Sequence, residues 1–177
     1  MTNKKVWLVS GVGRGMGVEI TKAALGGGFK VIATGRNIDK VTKVLGRSEN
    51  LLVVKLDITS TADAEAAVKA AVDKLGSIDV LVNNAANFMA RFFEELTPEP
   101  INQQLLTSLI GPMNVTRAVL PVMRKQGSGQ IIKISSEKQP PRRFIAGADA
   151  IGLAEQVVQK LQKETDAYRD LSSSLAY

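Results

Sequence analysis

The sequence predicts an α/β domain, a doubly wound parallel sheet of about five to six strands with helices on both faces. Three observations carry that expectation. Over the first three quarters of the 177 residues, strand-like and helix-like segments alternate with short connections, as crossover helices winding a parallel sheet require. The strand-like segments are short and rich in Val, Ile and Leu, as strands covered on both faces should be. Finally, the glycine-rich run Ser10-Gly11-Val12-Gly13-Arg14-Gly15-Met16-Gly17 follows directly on apolar Val6-Trp7-Leu8-Val9, which marks a tight strand-to-helix turn.

The first strand is Val6–Val9, and the glycine turn opens a helix that Gly26-Gly27-Gly28 closes, where positive φ is cheap for glycine. Strands two and three fall near residues 29–33 and 51–56. Ser60 caps the next helix, in which Ala64, Ala67, Val68, Ala71, Val72 and Leu75 recur at three- and four-residue spacing before Gly76 ends it. Strand four lies near 79–82. Pro112 suits a first helical turn, with Val115, Val119, Val122 and Met123 on one face, and Pro121 is expected to kink that helix. Strand five spans about 130–134. After Ser136 the alternation breaks: a polar, proline-containing stretch, 137–143, leads to a strand-sized 144–146 and a last helix over about 149–171. The stripe on that helix, Ile151, Ala154, Val158, Leu161, Thr165 and Tyr168, suits either packing on the domain or a subunit contact, and packing is the expectation. Residues 1–136 therefore form the expected dinucleotide-binding domain, with residues 137–177 a strand and helix packed on it.

Composition narrows the chemistry. With 45% hydrophobic and 23% charged residues the chain can build one core of ordinary size. No cysteine means no disulfide, thiol nucleophile or thiolate metal site; no histidine removes the usual general base, so acid–base work falls to Tyr, Lys, Asp or Glu. The net charge of +6 is scattered, with only short pairs such as Lys4-Lys5 and Arg142-Arg143, which argues against a nucleic-acid stripe and suits an anionic cofactor. No apolar stretch of the ~20 residues needed to span a bilayer is evident, and the apolar run after Lys5 is too short for a signal-peptide core. The expectation is a cytoplasmic protein without membrane or nucleic-acid partners.

A strand followed by closely spaced glycines brings bare N–H groups and a helix N-terminus against a pyrophosphate, the Rossmann-like solution to binding a dinucleotide. The cofactor choice follows from charge. A preference for NAD usually comes with a carboxylate near the ribose about 20 residues after the glycine turn, whereas a 2′-phosphate needs cations. Here that position holds Gly35-Arg36 with no acid before Asp39, and Arg14 lies in the turn itself. Two guanidiniums favour NADP(H); the other reading of Arg36 is a solvated side chain.

The spacing Gly11-x-x-x-Gly15-x-Gly17 after Ser10, followed in order by Ala33-Thr34-Gly35-Arg36, Leu56-Asp57-Ile58, Asn83-Asn84-Ala85-Ala86 and Ile134-Ser135-Ser136, resembles the short-chain dehydrogenase/reductase family. The stretch 116–123 is similar to that family's fifth helix. The resemblance covers residues 1–136 and implies an NADP(H)-dependent oxidoreductase acting on a small carbonyl or alcohol, commonly as a homo-oligomer. It implies cofactor contacts from Ser10, Gly11, Arg14, Gly15, Met16, Gly17 and Arg36, with Asp57 and the Ile58 backbone beside the adenine. Asn84 and Ala85 would line the floor near the ribose and nicotinamide; an Asn83-Asn84 pair also suits a strand-ending turn. Phe88, Met89, Phe92 and Phe93 would border an apolar substrate or pack in the core.

Hydride transfer to a carbonyl needs an acid for the developing alkoxide. In the family this acid is a tyrosine with a lysine four residues on, helped by a serine and an asparagine. Ser136 matches the serine and Ser108 stands at the asparagine's place, but the two tyrosines, Tyr168 and Tyr177, have no such lysine. Aligned in the usual way, residues 137–177 would put the pair at Ala146 and Ala150. The better match takes 140–150 as the family's last strand and the start of its final helix, and 166–172 as its tail. The middle segment with the Tyr–Lys pair is then absent and the sheet is shortened at the strand-five edge. Residues 144–146 would either pair with 130–134 or lie loose.

Overall fold

The computed structural model describes residues 4–87, 94, 96–133 and the backbone of 144–145. The chain divides into two compact units, Met1–Phe144 and Ile145–Tyr177, and the fold below is that of the first. Its elements run β1 (Val6–Val9), α1 (Met16–Gly26), β2 (Lys30–Gly35), α2 (Ile38–Leu45), β3 (Leu51–Lys55), α3 (Thr61–Leu75), β4 (Val80–Asn83), α4 (Pro98–Leu105), a π-helical segment (Leu106–Ile110), α5 (Gly111–Gln126), β5 (Gln130–Lys133) and β6 (Phe144–Ile145). The strand order is β3-β2-β1-β4-β5-β6, and the pairs from β3 through β5 are parallel. The doubly wound sheet is the one expected. Of the two arrangements open for residues 144–146, the strand order puts Phe144–Ile145 next to β5; Ala146, Ser136 and the last helix lie outside the described residues.

Side-chain alternation along each strand divides the core into two layers. Leu8, Ile32 and Leu81 face one side, packed with Ala64, Ala67 and Ala71 of α3 and Val115, Val119 and Met123 of α5. Val9, Val31, Ala33 and Val82 face the other, with Val18 and Ala24 of α1 and Val41 of α2. Register aligns Leu8 with Ile32 on one side and Leu81 on the other. All three are fully buried, so each contributes about 1.5–3 kcal/mol of apolar burial. Ser60 caps α3 as expected, accepting from the Asp63 N–H at 3.1 Å, and Gly76 ends it at φ 83°.

Three boundaries differ from the sequence reading. Strand β2 runs on to Gly35, because Thr34 and Gly35 continue the pairing with Val54 and Lys55. The sequence reading does not place helix α2, although Ile38, Val41 and Leu45 recur at three- and four-residue spacing and Asn37 caps it. The helix expected to start at Pro112 instead continues from Pro98 to Gln126, 29 residues in all. Proline has no N–H for the Ser108 carbonyl, and just before it the backbone widens: the Gly111 N–H reaches five residues back to the Leu106 carbonyl. Pro112 stands in the first turn of α5, as expected, although helical backbone precedes it without a break. By length and composition alone this helix is long and apolar enough to cross a membrane, although Asn, Gln, Ser and Thr break up its apolar residues. Val115, Val119 and Met123 nonetheless lie in the core, as in a helix packed on a sheet.

Candidate functional site

The chain moves from β1 to β2 and β3 on one side, then returns through α3 to β4 on the other side of β1. Such a reversal opens a crevice beyond the carboxyl ends of the strands. A cavity of about 760 Å³ lies there. It gathers Gly11, Arg14, Gly15 and Met16 from the turn after β1, Arg36 after β2, Asp57 and Ile58 after β3, and Asn84 and Ala85 after β4.

Ser10 and Gly17 act from behind this wall. Ser10 is 1% exposed; its hydroxyl donates to the Val82 carbonyl at 3.3 Å and accepts from the N–H groups of Asn84 and Ala85, each at 3.1 Å. The Asn84 amide donates to the carbonyls of Ser10 at 2.9 Å and Gly11 at 3.2 Å. These bonds lace the end of β1 to the end of β4. Close approach requires glycine: a Cβ on Gly11, at φ +73°, would sit 2.7 Å from the Ala85 Cα, and one on Gly17 would sit 2.6 Å from both Asn84 Nδ2 and the Gly11 carbonyl oxygen. Gly15, at φ +62°, stands at the N-terminus of α1 with open space about it. The first amides of that helix lack intrahelical acceptors and can take a ligand's anionic oxygens.

Charge around the cavity is lopsided. Arg14, Arg36 and Lys40 line it, with Asp57 the one acid among the described lining residues. One oxygen of the Asp57 carboxylate accepts from the Thr59 N–H at 3.0 Å and its hydroxyl at 2.8 Å. The Thr59 N–H, above all, holds the Asp57 carboxyl below its ordinary pKa; burial, next in size, opposes it, and the hydroxyl and the charges of Arg36 and Lys55 help. Among the described residues neither arginine nor Lys40 has a carboxylate partner.

Asn87, Gln103 and Thr107 also line the cavity, together with Ala86. There Gln104 Nε2 donates to the Asn87 carbonyl at 2.9 Å and the Ser108 hydroxyl at 3.1 Å, tying α4 and the π-helical segment to the exit of β4. Asn87 Oδ1 and Gln104 Oε1 are buried and find no partner among the described residues. Ser136, Phe88, Met89, Phe92 and Phe93 lie outside the described residues. Sequence reasoning missed Asn37, Lys40 and Thr59, the first two because α2 was not placed. A signal existed in Asn37, a residue suited to capping, with Lys40 three residues on; the Asn37 side chain accepts from the Lys40 N–H at 2.9 Å.

A family profile described as short chain dehydrogenase matches residues 5–165. An oxidoreductase of Botryotinia fuckeliana, BOA17, is 37% identical over 134 residues, 75% of this chain and 49% of that one. A short-chain dehydrogenase from Streptomyces avermitilis superposes with a TM-score of 0.71 at 32% identity, covering 93% of this chain and 62% of that one. A gluconate 5-dehydrogenase from Burkholderia cenocepacia, solved in complex with NADP and tartrate, superposes with a TM-score of 0.70 at 26% identity, covering 94% and 66%. The chain spans about half the length of the curated relatives it matches.

Proposed function

This chain belongs to the short-chain dehydrogenase family, and on that premise we propose that it binds NADP(H) as an oxidoreductase of that family whose turnover is impaired. The observation that carries the binding half is the cavity itself, a glycine-walled crevice at the strand-order reversal whose described lining holds three cations and one acid. The residues fit the group. Gly11, Gly15, Met16 and Gly17 would present the glycine turn and the start of α1 to the pyrophosphate, Arg14 and Arg36 would hold the 2′-phosphate, Asp57 and Ile58 would flank the adenine, and Asn84 and Ala85 would form the floor. Ser10 would hold that floor in place. When bound, the nicotinamide would supply or accept a hydride at a small carbonyl or alcohol.

Impairment follows from what the sequence lacks. Neither Tyr168 nor Tyr177 is followed four residues later by lysine, so the family's acid is missing, and with it a factor of roughly 10²–10⁴ in rate. Ser136 remains as the hydroxyl that would bond substrate. The same absence favours a second reading, an NADP(H)-binding protein of this family that performs no turnover. We further read the chain as lacking the family's middle segment, and as a cytoplasmic protein able to form homo-oligomers.

A fluorescence titration with NADPH and NADH tests the binding half; saturation with NADPH favoured is expected, and binding of neither overturns it. Oxidation of bound NADPH across a panel of small carbonyls separates the two readings. Slow turnover that falls further in Ser136→Ala supports an impaired oxidoreductase, whereas none supports the binding protein.

A further inference from the structure

Lys40 has no part in the reading above, yet it faces the same cavity. It sits in the first turn of α2, with its backbone N–H taken by the Asn37 side chain, so its position on the helix is fixed by a cap. Its stem runs toward the glycine turn: the Cδ carbon lies 3.8 Å from where a Gly13 Cβ would be. Lys40 thus lines the cavity together with Arg14 from the turn and Arg36 from the end of β2. Asp57 is the one acid among the described lining residues, with one carboxylate oxygen bonded to Thr59, and Asp39 beside Lys40 does not line the cavity. Three positive charges against one carboxylate leave the concavity net positive, which a bound polyanion neutralises.

We propose that Lys40 is a third phosphate-binding cation of this site, gripping the phosphate on the adenosine ribose of NADP(H) with Arg14 and Arg36, and so sets the preference for phosphorylated over unphosphorylated dinucleotide. The inference rests on the NADP(H) reading and sharpens it. A lysine is a flexible point charge, so it contributes strength where the two planar guanidiniums contribute direction.

The test compares wild type with Lys40→Gln and Lys40→Arg in titrations with NADPH, NADH and 2′,5′-ADP. Loss of a charge-assisted contact predicts a Kd for NADPH and 2′,5′-ADP about 10-fold or more weaker in Lys40→Gln. The Kd for NADH should stay within about two-fold, and Lys40→Arg should recover most of the loss. Raising the salt concentration should weaken NADPH binding less steeply in Lys40→Gln than in wild type. Wild type that prefers NADPH while Lys40→Gln binds it equally well overturns this inference and leaves the NADP(H) reading standing. An equal loss for NADH and NADPH assigns Lys40 a merely structural role and also overturns it. Wild type that binds none of the three probes removes both.

Discussion

The two ends of the cavity are built differently. At the β1–β4 seam Ser10 serves two backbone N–H groups, Asn84 serves two carbonyls, and Gly11 and Gly17 leave no room for a Cβ, although Asn83 Oδ1 at the end of β4 is buried without a partner among the described residues. At the α4 end a glutamine bridges two elements, while Asn87 Oδ1 and Gln104 Oε1 stay unpaired among the described residues. Large apolar side chains stand exposed on the same helix, Leu105, Leu106, Leu109, Ile110 and Met113. A seam that tight fixes backbone donors for a ligand in advance. Among the described residues the α4 region holds its polar groups by fewer bonds, those of Gln104 Nε2 to the Asn87 carbonyl and the Ser108 hydroxyl.

The most severe way to break the seam is Gly11→Ala. The new Cβ meets the Ala85 backbone at 2.7 Å and the residue must hold φ +73°. Left-handed backbone costs about 1–2 kcal/mol and overpacking about 1–3 kcal/mol, so the melting temperature should fall by several degrees or more. A melting curve matching wild type would mean that the seam is looser than its distances say.

Ser10→Ala tests the same seam without adding an atom. It removes the acceptor shared by the Asn84 and Ala85 N–H groups, and an unsatisfied buried donor costs about 1–3 kcal/mol. Urea unfolding should show that loss. Ser10→Thr, which keeps the hydroxyl, should restore part of it.

The difference between the two ends also explains how much was legible in sequence. The seam was readable because only glycine tolerates its backbone, and the spacing Gly11, Gly15, Gly17 records that need in residue identity. The strands were readable because two buried faces demand Val, Ile and Leu. Lys40 was not, since a lysine carries no sign of what it faces until α2 is placed. Nor was the unbroken run from Pro98, since Pro112 marks the first turn of α5 and gives no sign that the π turn of Leu106–Ile110 joins it to the helix before. Ser10 shows a third case: the residue was singled out, but sequence could not reveal that its hydroxyl serves the wall rather than the cavity surface.

Asp57 gives a smaller, pH-dependent effect. Its pKa is lowered in the folded protein from an ordinary value of 3.8, chiefly by the Thr59 N–H. A carboxyl whose folded pKa is depressed stabilises the fold at pH above 3.8 and ceases to do so as pH falls through the folded value. Thr59→Ala removes the 2.8 Å hydroxyl bond and Asp57→Asn removes the charge. Stability of the Asn variant should therefore lose less than wild type between pH 5 and the acid end of the range. Parallel acid-unfolding curves for the two proteins would show that this carboxylate holds no pH-linked stability.

The smallest expected effect lies on the looser end, and it is the one that can overturn the contrast. Leu109 is 48% exposed, so Leu109→Gln should change stability by no more than about 0.5 kcal/mol, as surface substitutions do. Its neighbours Leu105, Leu106, Ile110 and Met113 share that exposure, and a row of this kind on one helix is large for a bare surface. If nothing covers it, thermal stability will match wild type and will not depend on protein concentration. If Leu109→Gln instead lowers the melting temperature by several degrees, and by more at high protein concentration, the face is an interface in solution. The exposed helix would then be stabilised by association, and the looseness inferred for that end would belong to the isolated chain alone.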